Sequence, residues 1–313
     1  MTECERIIKE GKLPNSFFKE EVRNDFLIDI KRKQIWAIEL DLLLELDKIC
    51  RKYNLRYWIA YGSLLGAIRH KGFIPWDDDT DVLMPRADYE QLITHGSEFH
   101  HPYFFQTPYT DEGYFYAHAR LRNSNTTFIQ RPFCHQQYNM GVFMDILPLD
   151  CFIHNEKGKK VFEDMSSLLV DMSTSMKVSN PHPNERDAER IKNLSTLNPI
   201  LRYEKLQSFA KIFEGEETDF YFPSAALTYG FDRSVLSKKD FKETIYTDFE
   251  GYKVPIPAGY EHFLRYVYGD YNVLPPKEKR GTWHGNVWFD AEKPYQEVKN
   301  DPEYIIWSNN PNY

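Results

Sequence analysis

The chain has 313 residues, enough for one elaborated domain or two closely joined ones, since a domain of about 300 residues buries roughly 75% of the surface its unfolded chain exposes. Its net charge of −8 argues against nucleic acid as a partner and leaves any anionic substrate in need of a bridging cation. Cys4, Cys50, Cys134 and Cys151 lack Cys-x-x-Cys spacing, so neither structural zinc nor a disulfide framework is suggested.

The first strong periodicity is Ile35, Ile38, Leu42, Leu46 and Ile49, which predicts an amphipathic helix. Tyr57-Trp58-Ile59-Ala60-Tyr61 is aromatic and β-branched and reads as a strand. Gly62 then permits a turn, and Leu64, Leu65 and Ile68 resume helical spacing. The free N–H groups of such a helix start, with the Ser63 hydroxyl, suit a phosphate, although a Gly-Ser pair before a helix is more often only a cap.

Asp77, Asp79 and Asp81 follow at alternate positions, so on an extended chain their carboxylates share a face. Two such groups about 4 Å apart repel by roughly 4 kcal/mol at an effective dielectric near 20, which calls for a cation or for exposure in a solvated turn. A calcium loop of the EF-hand type fails here, because Val82 stands where glycine is required and Asp88 where the bidentate glutamate belongs. Oxygen ligands entering the apolar strand Val82-Leu83-Met84 suit Mg²⁺, with Mn²⁺ as the alternative.

Tyr89, Leu92 and Ile93 predict a further helix ended near Gly96, and Arg120 and Arg122 sit two apart in a strand. Val142 to Asp150 is an apolar strand with a lone acid, Asp145, at its middle. A buried carboxylate is costly unless paired or metal-bound, so Asp145 is expected to complete the acidic site, and Asp150 to start a turn.

The run from Tyr61 through Gly62-Ser63-Leu64-Leu65-Gly66 to Pro75-Trp76-Asp77-Asp78-Asp79-Thr80-Asp81-Val82 resembles the LicD-type family, bacterial phosphocholine transferases related to fukutin and fukutin-related protein. Arg120 to Phe128, Met144 to Asp150 and Tyr268-Gly269-Asp270-Tyr271 extend the match. Ser63 in place of the commoner threonine, and Thr80 in place of an apolar residue, are its small departures.

The resemblance implies an α/β (α+β) nucleotidyltransferase-like fold: a mixed sheet flanked by helices, with a helical insertion. It also implies transfer of phosphocholine from CDP-choline, or of a related CDP-alcohol's phosphate group, to a hydroxyl of a glycan or lipid-linked glycan. Acceptors of teichoic acid or lipopolysaccharide type are expected, with release of CMP. On this reading Asp77, Asp79, Asp81 and Asp145 hold Mg²⁺, and Asp79, Asp81 and Asp145 are catalytic, Asp145 drawing the acceptor proton. Gly62, Ser63 and Arg122 bind the donor. Transfer of ribitol phosphate, glycerol phosphate, phosphoethanolamine or a nucleotide is the nearer alternative. A non-catalytic metal- or glycan-binding protein is the distant one.

Four segments are expected: an N-terminal extension (1–26), the catalytic core (27–154), a charged helical insertion (155–217) broken by Pro181 and Pro183, and a C-terminal part (218–313) completing the cleft. The termini are expected to be loosely ordered. Lys277, Lys279 and Arg280 suit a polyanionic acceptor or a solvated loop. The charged start of the chain holds no signal-peptide core and no apolar run is long enough to span a membrane. The expected setting is therefore cytoplasmic, with peripheral contact at the inner membrane face compatible with it.

Overall fold

A computed structural model describes residues 1–176, 198–223, 231–282 and 284–310. The fold is mixed α/β, as expected. Its centre is β8 (Val142–Phe152), eleven residues that are apolar throughout except at the acids. One edge of β8 pairs in parallel with β4 (Asp81–Pro85), which continues antiparallel to the short β3 (Trp58–Ile59). The other edge takes β6 (Ala119–Asn123) along its first half and β9 (Phe220–Pro223) along its last residues, both antiparallel. β5 (Tyr103–Gln106) and β10 (Leu236–Ser237) flank these, giving a seven-stranded mixed sheet among the described residues.

The predicted amphipathic helix is α2 (Ile30–Tyr53), capped by Asp29 and ended by Asn54 in the left-handed region. Its buried face carries Trp36, Ile38, Leu40, Leu42 and Leu46 with essentially no exposure, and it packs on β8 and β6. Full burial of each such side chain contributes about 1.5–3 kcal/mol, so α2 fixes the back of the sheet. Trp36 also stacks on Phe73 at 4.9 Å, and its indole N–H donates to the Asp77 carbonyl at 3.0 Å. The helix therefore pins the start of the acidic run directly.

The N-terminus departs from the expected loose order. The helix α1 (Glu3–Lys9) buries Ile7 completely, pairs Arg6 with Asp41 of α2, and receives hydrogen bonds from Asn123 and Asn125 on Glu3. Charge pairing, which the polar sequence hid, docks it. Asp150 also differs from the turn expected of it: β8 continues to Phe152, and Asp150 is buried against Arg86.

Of the expected insertion, Glu156–Met176 (α5) and Pro199–Ala210 are helical, while Pro181 and Pro183 lie outside the described residues. In the last third, β11 (Thr244–Phe249) and β12 (Tyr252–Pro257) form a hairpin followed by the helix Tyr260–Tyr268. β13 (Val287–Asp290) pairs with β7 (Thr127–Gln130), which carries the segment before it to the sheet's acidic end.

Candidate active site

The acids converge where β4 and β8 begin to pair. Asp81 and Asp145 are register partners in that parallel ladder, and the Asp145 N–H donates to the Thr80 carbonyl at 2.9 Å. Just before β4, the carboxylates of Asp77, Asp78 and Asp79 offer oxygens within 4.8 Å of one another. The turn holding them is fixed from behind, because Arg32 donates to the Asp77 carbonyl at 2.6 Å beside the Trp36 bond.

The Gly-Ser pair serves this geometry. It lies inside α3 (Tyr61–His70), one turn from the acids. A Cβ added at Gly62 would stand 2.6 Å from Oδ2 of Asp77, so glycine lets that carboxylate approach the helix start. Ser63 is buried, and its Oγ accepts the Asp81 N–H at 2.9 Å. Ser63 thereby holds the β4 backbone through its oxygen, a bond that does not use its O–H, the group a phosphate would accept from.

The electrostatics are lopsided. Burial, and then repulsion by Asp79 and Asp78, pushes the Asp77 carboxyl well above its ordinary value. Burial, followed by Asp79, Asp145 and Asp77, does the same to Asp81, and Asp79 is raised as well, chiefly by burial. Two residues are compensated. Burial alone would raise Asp78, but the bond from His284 outweighs it: Nδ1 lies 3.0 Å from Oδ1, and the Thr282 hydroxyl donates to the other oxygen. Burial would also raise Asp145, but Arg120 and then His118 hold it well below the carboxylate range.

Arg120 binds Asp145 through Nε at 2.5 Å and Nη2 at 3.3 Å, with its guanidinium between the rings of Tyr116 (4.1 Å) and Phe143 (3.9 Å). His118 Nε2 lies 3.2 Å from Asp145 Oδ1. This clamp bears on two of the expected roles. Asp145 keeps its place opposite Asp81, but a carboxylate so strongly held ionised is a weak proton acceptor. Arg122, expected on the donor, is buried and bonds the Gln106 side chain and the Gly141 carbonyl. Burial, and then the like charge of Arg120, lowers its pKa to about 10. It braces the strand.

Sequence reasoning missed Glu39, His118, Thr282 and His284. Glu39 lies on the buried face of α2, within 3.4 Å of the Thr80 hydroxyl, and burial followed by Asp79 raises its carboxyl strongly. His284 packs edge-on against Phe128 and Phe143, with its Nε2 3.9 Å from Asp79. A histidine about 200 residues from the acidic run carries no local signal. A glutamate amid the apolar stripe of α2 did carry one.

Oxygen donors in surplus over their cationic neighbours, with four carboxyls (Glu39, Asp77, Asp79 and Asp81) raised by burial and mutual repulsion, fit a hard divalent cation. The segment that holds them is also the one that matches known proteins. Residues 54–162 match the family of the LicD/FKTN/FKRP nucleotidyltransferase domain.

The chain carries a LicD-family domain.

It is 28% identical, over 254 residues, to the lipopolysaccharide cholinephosphotransferase LicD of Haemophilus influenzae, a match covering 78% of this chain and 92% of that protein. Shorter matches join it to two uncharacterised rickettsial proteins. One, from Rickettsia typhi, is 49% identical over 55 residues, 17% of this chain and 18% of that protein. The other, from Rickettsia prowazekii, is 45% identical over 47 residues, 15% and 18% respectively. All of the clustered acids except Glu39 fall inside the LicD domain, whereas Thr282 and His284 reach it from outside.

Proposed function

We propose that this LicD-family protein is a transferase that moves phosphocholine from CDP-choline to a hydroxyl of a cell-surface glycan, releasing CMP. The observation that carries the reading is the carboxylate cluster inside the LicD domain of a chain aligned with nearly the whole length of a lipopolysaccharide cholinephosphotransferase.

Asp77, Asp79, Asp81 and Asp145 would hold Mg²⁺, or Mn²⁺ in its place. When bound, the metal supplies charge neutralisation for the donor's diphosphate and for the departing nucleotide. The chain's own residues supply position. Arg120 keeps Asp145 ionised opposite Asp81, Ser63 holds the Asp81 backbone, and His284 with Thr282 fixes Asp78 beside Asp79. The acceptor oxygen attacks the phosphorus that bears choline. The bond from that phosphorus to the oxygen bridging the two phosphates breaks, CMP leaves with the electron pair, and the hydroxyl proton passes to a carboxylate of the cluster other than Asp145.

The test is a donor screen. CMP release from CDP-choline, CDP-ethanolamine, CDP-glycerol and CDP-ribitol is measured with and without a lipopolysaccharide-type acceptor. CDP-choline is expected to be consumed fastest, dependent on both Mg²⁺ and acceptor. Faster consumption of CDP-glycerol or CDP-ribitol would overturn the phosphocholine assignment, and release of pyrophosphate from CTP would overturn phospho-alcohol transfer.

A further inference from the structure

A polar pocket of about 460 Å³ shares no lining residue with the carboxylate cluster and falls within the roughly 300–1,000 Å³ range of small-ligand sites. Four stretches distant in sequence build it. β5 gives Phe104, the loop after β5 gives Asp111, the turn between β6 and β7 gives Ser124 and Asn125, and the segment after β13 gives Tyr295 and Glu297. Phe104 and Tyr295 are both half-buried and supply its aromatic surface.

The polar groups here are held in place with bonding capacity unspent. Asp111 Oδ2 accepts from the Gln106 amide at 2.7 Å and from the Asn139 N–H at 2.7 Å, while Oδ1 accepts nothing from the described residues. Asn125 donates to Glu3 through Nδ2 at 2.9 Å, and its Oδ1 is likewise unspent. Ser124 Oγ accepts from the Asn139 side chain at 2.8 Å, which leaves its O–H to donate. The Tyr295 hydroxyl has no hydrogen-bond partner among the described residues. Burial, then the Asp111 carboxylate, raises the phenol, so this O–H keeps its proton. Two acceptors and two donors therefore stand beside two aromatic rings.

That combination selects a ligand class. A sugar hydroxyl both donates and accepts, and the C–H face of a pyranose packs on aromatic rings. Asp111 and Glu297 line the pocket and, among the described residues, no Lys or Arg does, which disfavours phosphate or any other anion. A quaternary ammonium would use the rings and the carboxylates but leave Ser124, Asn125 and the Tyr295 hydroxyl without a partner. We infer that this pocket binds an uncharged sugar unit of a glycan, its ring against Phe104 and Tyr295 and its hydroxyls bonded to Asp111, Ser124, Asn125 and Tyr295.

Its place in the sheet gives the site a use. Phe104 is the register partner of Arg122, and Arg122 of Phe143, two residues before Asp145 on β8. Register partners share a face, as do residues two apart on a strand, so Phe104 and Asp145 stand on the same side of the sheet. β5 lies two strands from β8, roughly 10 Å across the ladder. A glycan held there has its remaining units within reach of the carboxylates. The sugar site stands on its own geometry, whereas its use in holding the acceptor rests on the transfer reading.

The experiment is an NMR titration of the full chain with the methyl glycosides of glucose, galactose, mannose and N-acetylglucosamine, read by saturation transfer. Choline and methyl phosphate serve as rival ligands. Binding of at least one glycoside is expected, undisturbed by either rival. Tyr295→Phe should weaken it about five-fold, the loss of one hydrogen bond, and Tyr295→Ala about ten-fold or more. The Tyr295 hydroxyl bonds nothing among the described residues, so Tyr295→Phe should fold as the wild type does, and circular dichroism melts check both variants. With a lipopolysaccharide-type acceptor, Tyr295→Phe should raise the acceptor KM and leave the CDP-choline KM as it is. No binding of any glycoside, full binding by the folded Tyr295→Ala protein, or displacement of the glycoside by choline or methyl phosphate would overturn the proposal. A raised CDP-choline KM with an unchanged acceptor KM would overturn it as well, by putting the donor in the pocket. Glycoside binding without CMP release would count against the transfer reading alone.

Discussion

The two ends of the β4–β8 pair treat the same residue type in opposite ways. At the start of the pair, Asp81 faces Asp145, and with Asp77 and Asp79 the carboxylates outnumber their cationic neighbours. Past its end, Asp150 of the same strand β8 meets Arg86, the first residue of the helix Arg86–Thr94. Both carboxylate oxygens are bonded, at 2.5 and 2.7 Å, and Gln207 takes a further guanidinium N–H at 2.7 Å. That pair is almost wholly out of water and closes its own charge. An acid in a buried strand therefore says little by itself. The balance of charge around it separates a structural acid from one awaiting a ligand.

The largest effect should follow from breaking the unbalanced end. Asp79→Asn and Asp81→Asn should each lower turnover by about 10³-fold, a loss of ~4 kcal/mol of transition-state stabilisation. Removing one charge from a repelling set should leave the melting temperature of the metal-free protein unchanged or raised. Turnover within a few-fold of wild type, after metal stripping and Mg²⁺ restoration, would remove these residues from the chemistry.

Breaking the balanced end should do the reverse. Arg86→Met leaves Asp150 as an uncompensated buried carboxylate, which should cost about 3 kcal/mol of stability in urea unfolding. Gln207, which also donates to the Ala117 carbonyl at 2.9 Å, loses only one of its two partners. Turnover per folded molecule should hold. A stable variant with lost turnover would place Arg86 in the site and erase the contrast between the two ends.

Much of the unbalanced end was legible in the sequence, because it is built from near neighbours. Asp77, Asp79 and Asp81 are two apart, Gly62 and Ser63 announce a helix start, and Asp145 stands out in an apolar run. The partners that set each acid's charge were not legible, since they arrive from distant segments. Arg86 and Asp150 are 64 residues apart, and His284 lies 206 residues from Asp78. Spacing could not tell Arg120 from Arg122 either: both project toward Phe143, and only the register of β6 against β8 puts Arg120 opposite Asp145. The fold was read more completely, because helix and strand periods are local signals whereas burial of charge is a tertiary one. The N-terminus escaped for that same reason, its anchor being the pairing of Arg6 with Asp41 on α2.

The smallest effect, and the sharpest test of imbalance, is the pH dependence of stability without metal. Asp77 and Asp81 have folded pKa values raised from 3.8, so from about pH 4 upward the folded protein holds protons that the unfolded chain has released. Stability must then fall as pH rises toward neutrality. Asp78 and Asp145, with lowered values, act oppositely: their contribution is present above about pH 4 and lost below it. His284, raised from 6.5, adds a loss of its own as pH climbs through its folded value, in the same direction as the acids. A fall of about 1–2 kcal/mol between roughly pH 5 and 8 is expected in EDTA, the acids being partly open to solvent. Mg²⁺ and Asp81→Asn separate the two sources. Either should flatten the part due to the carboxylates and leave the histidine part, which His284→Gln should remove instead. A melting temperature that rises over this range in EDTA, or one that Mg²⁺ leaves unaltered at each pH, would show that the acids have no cation to receive.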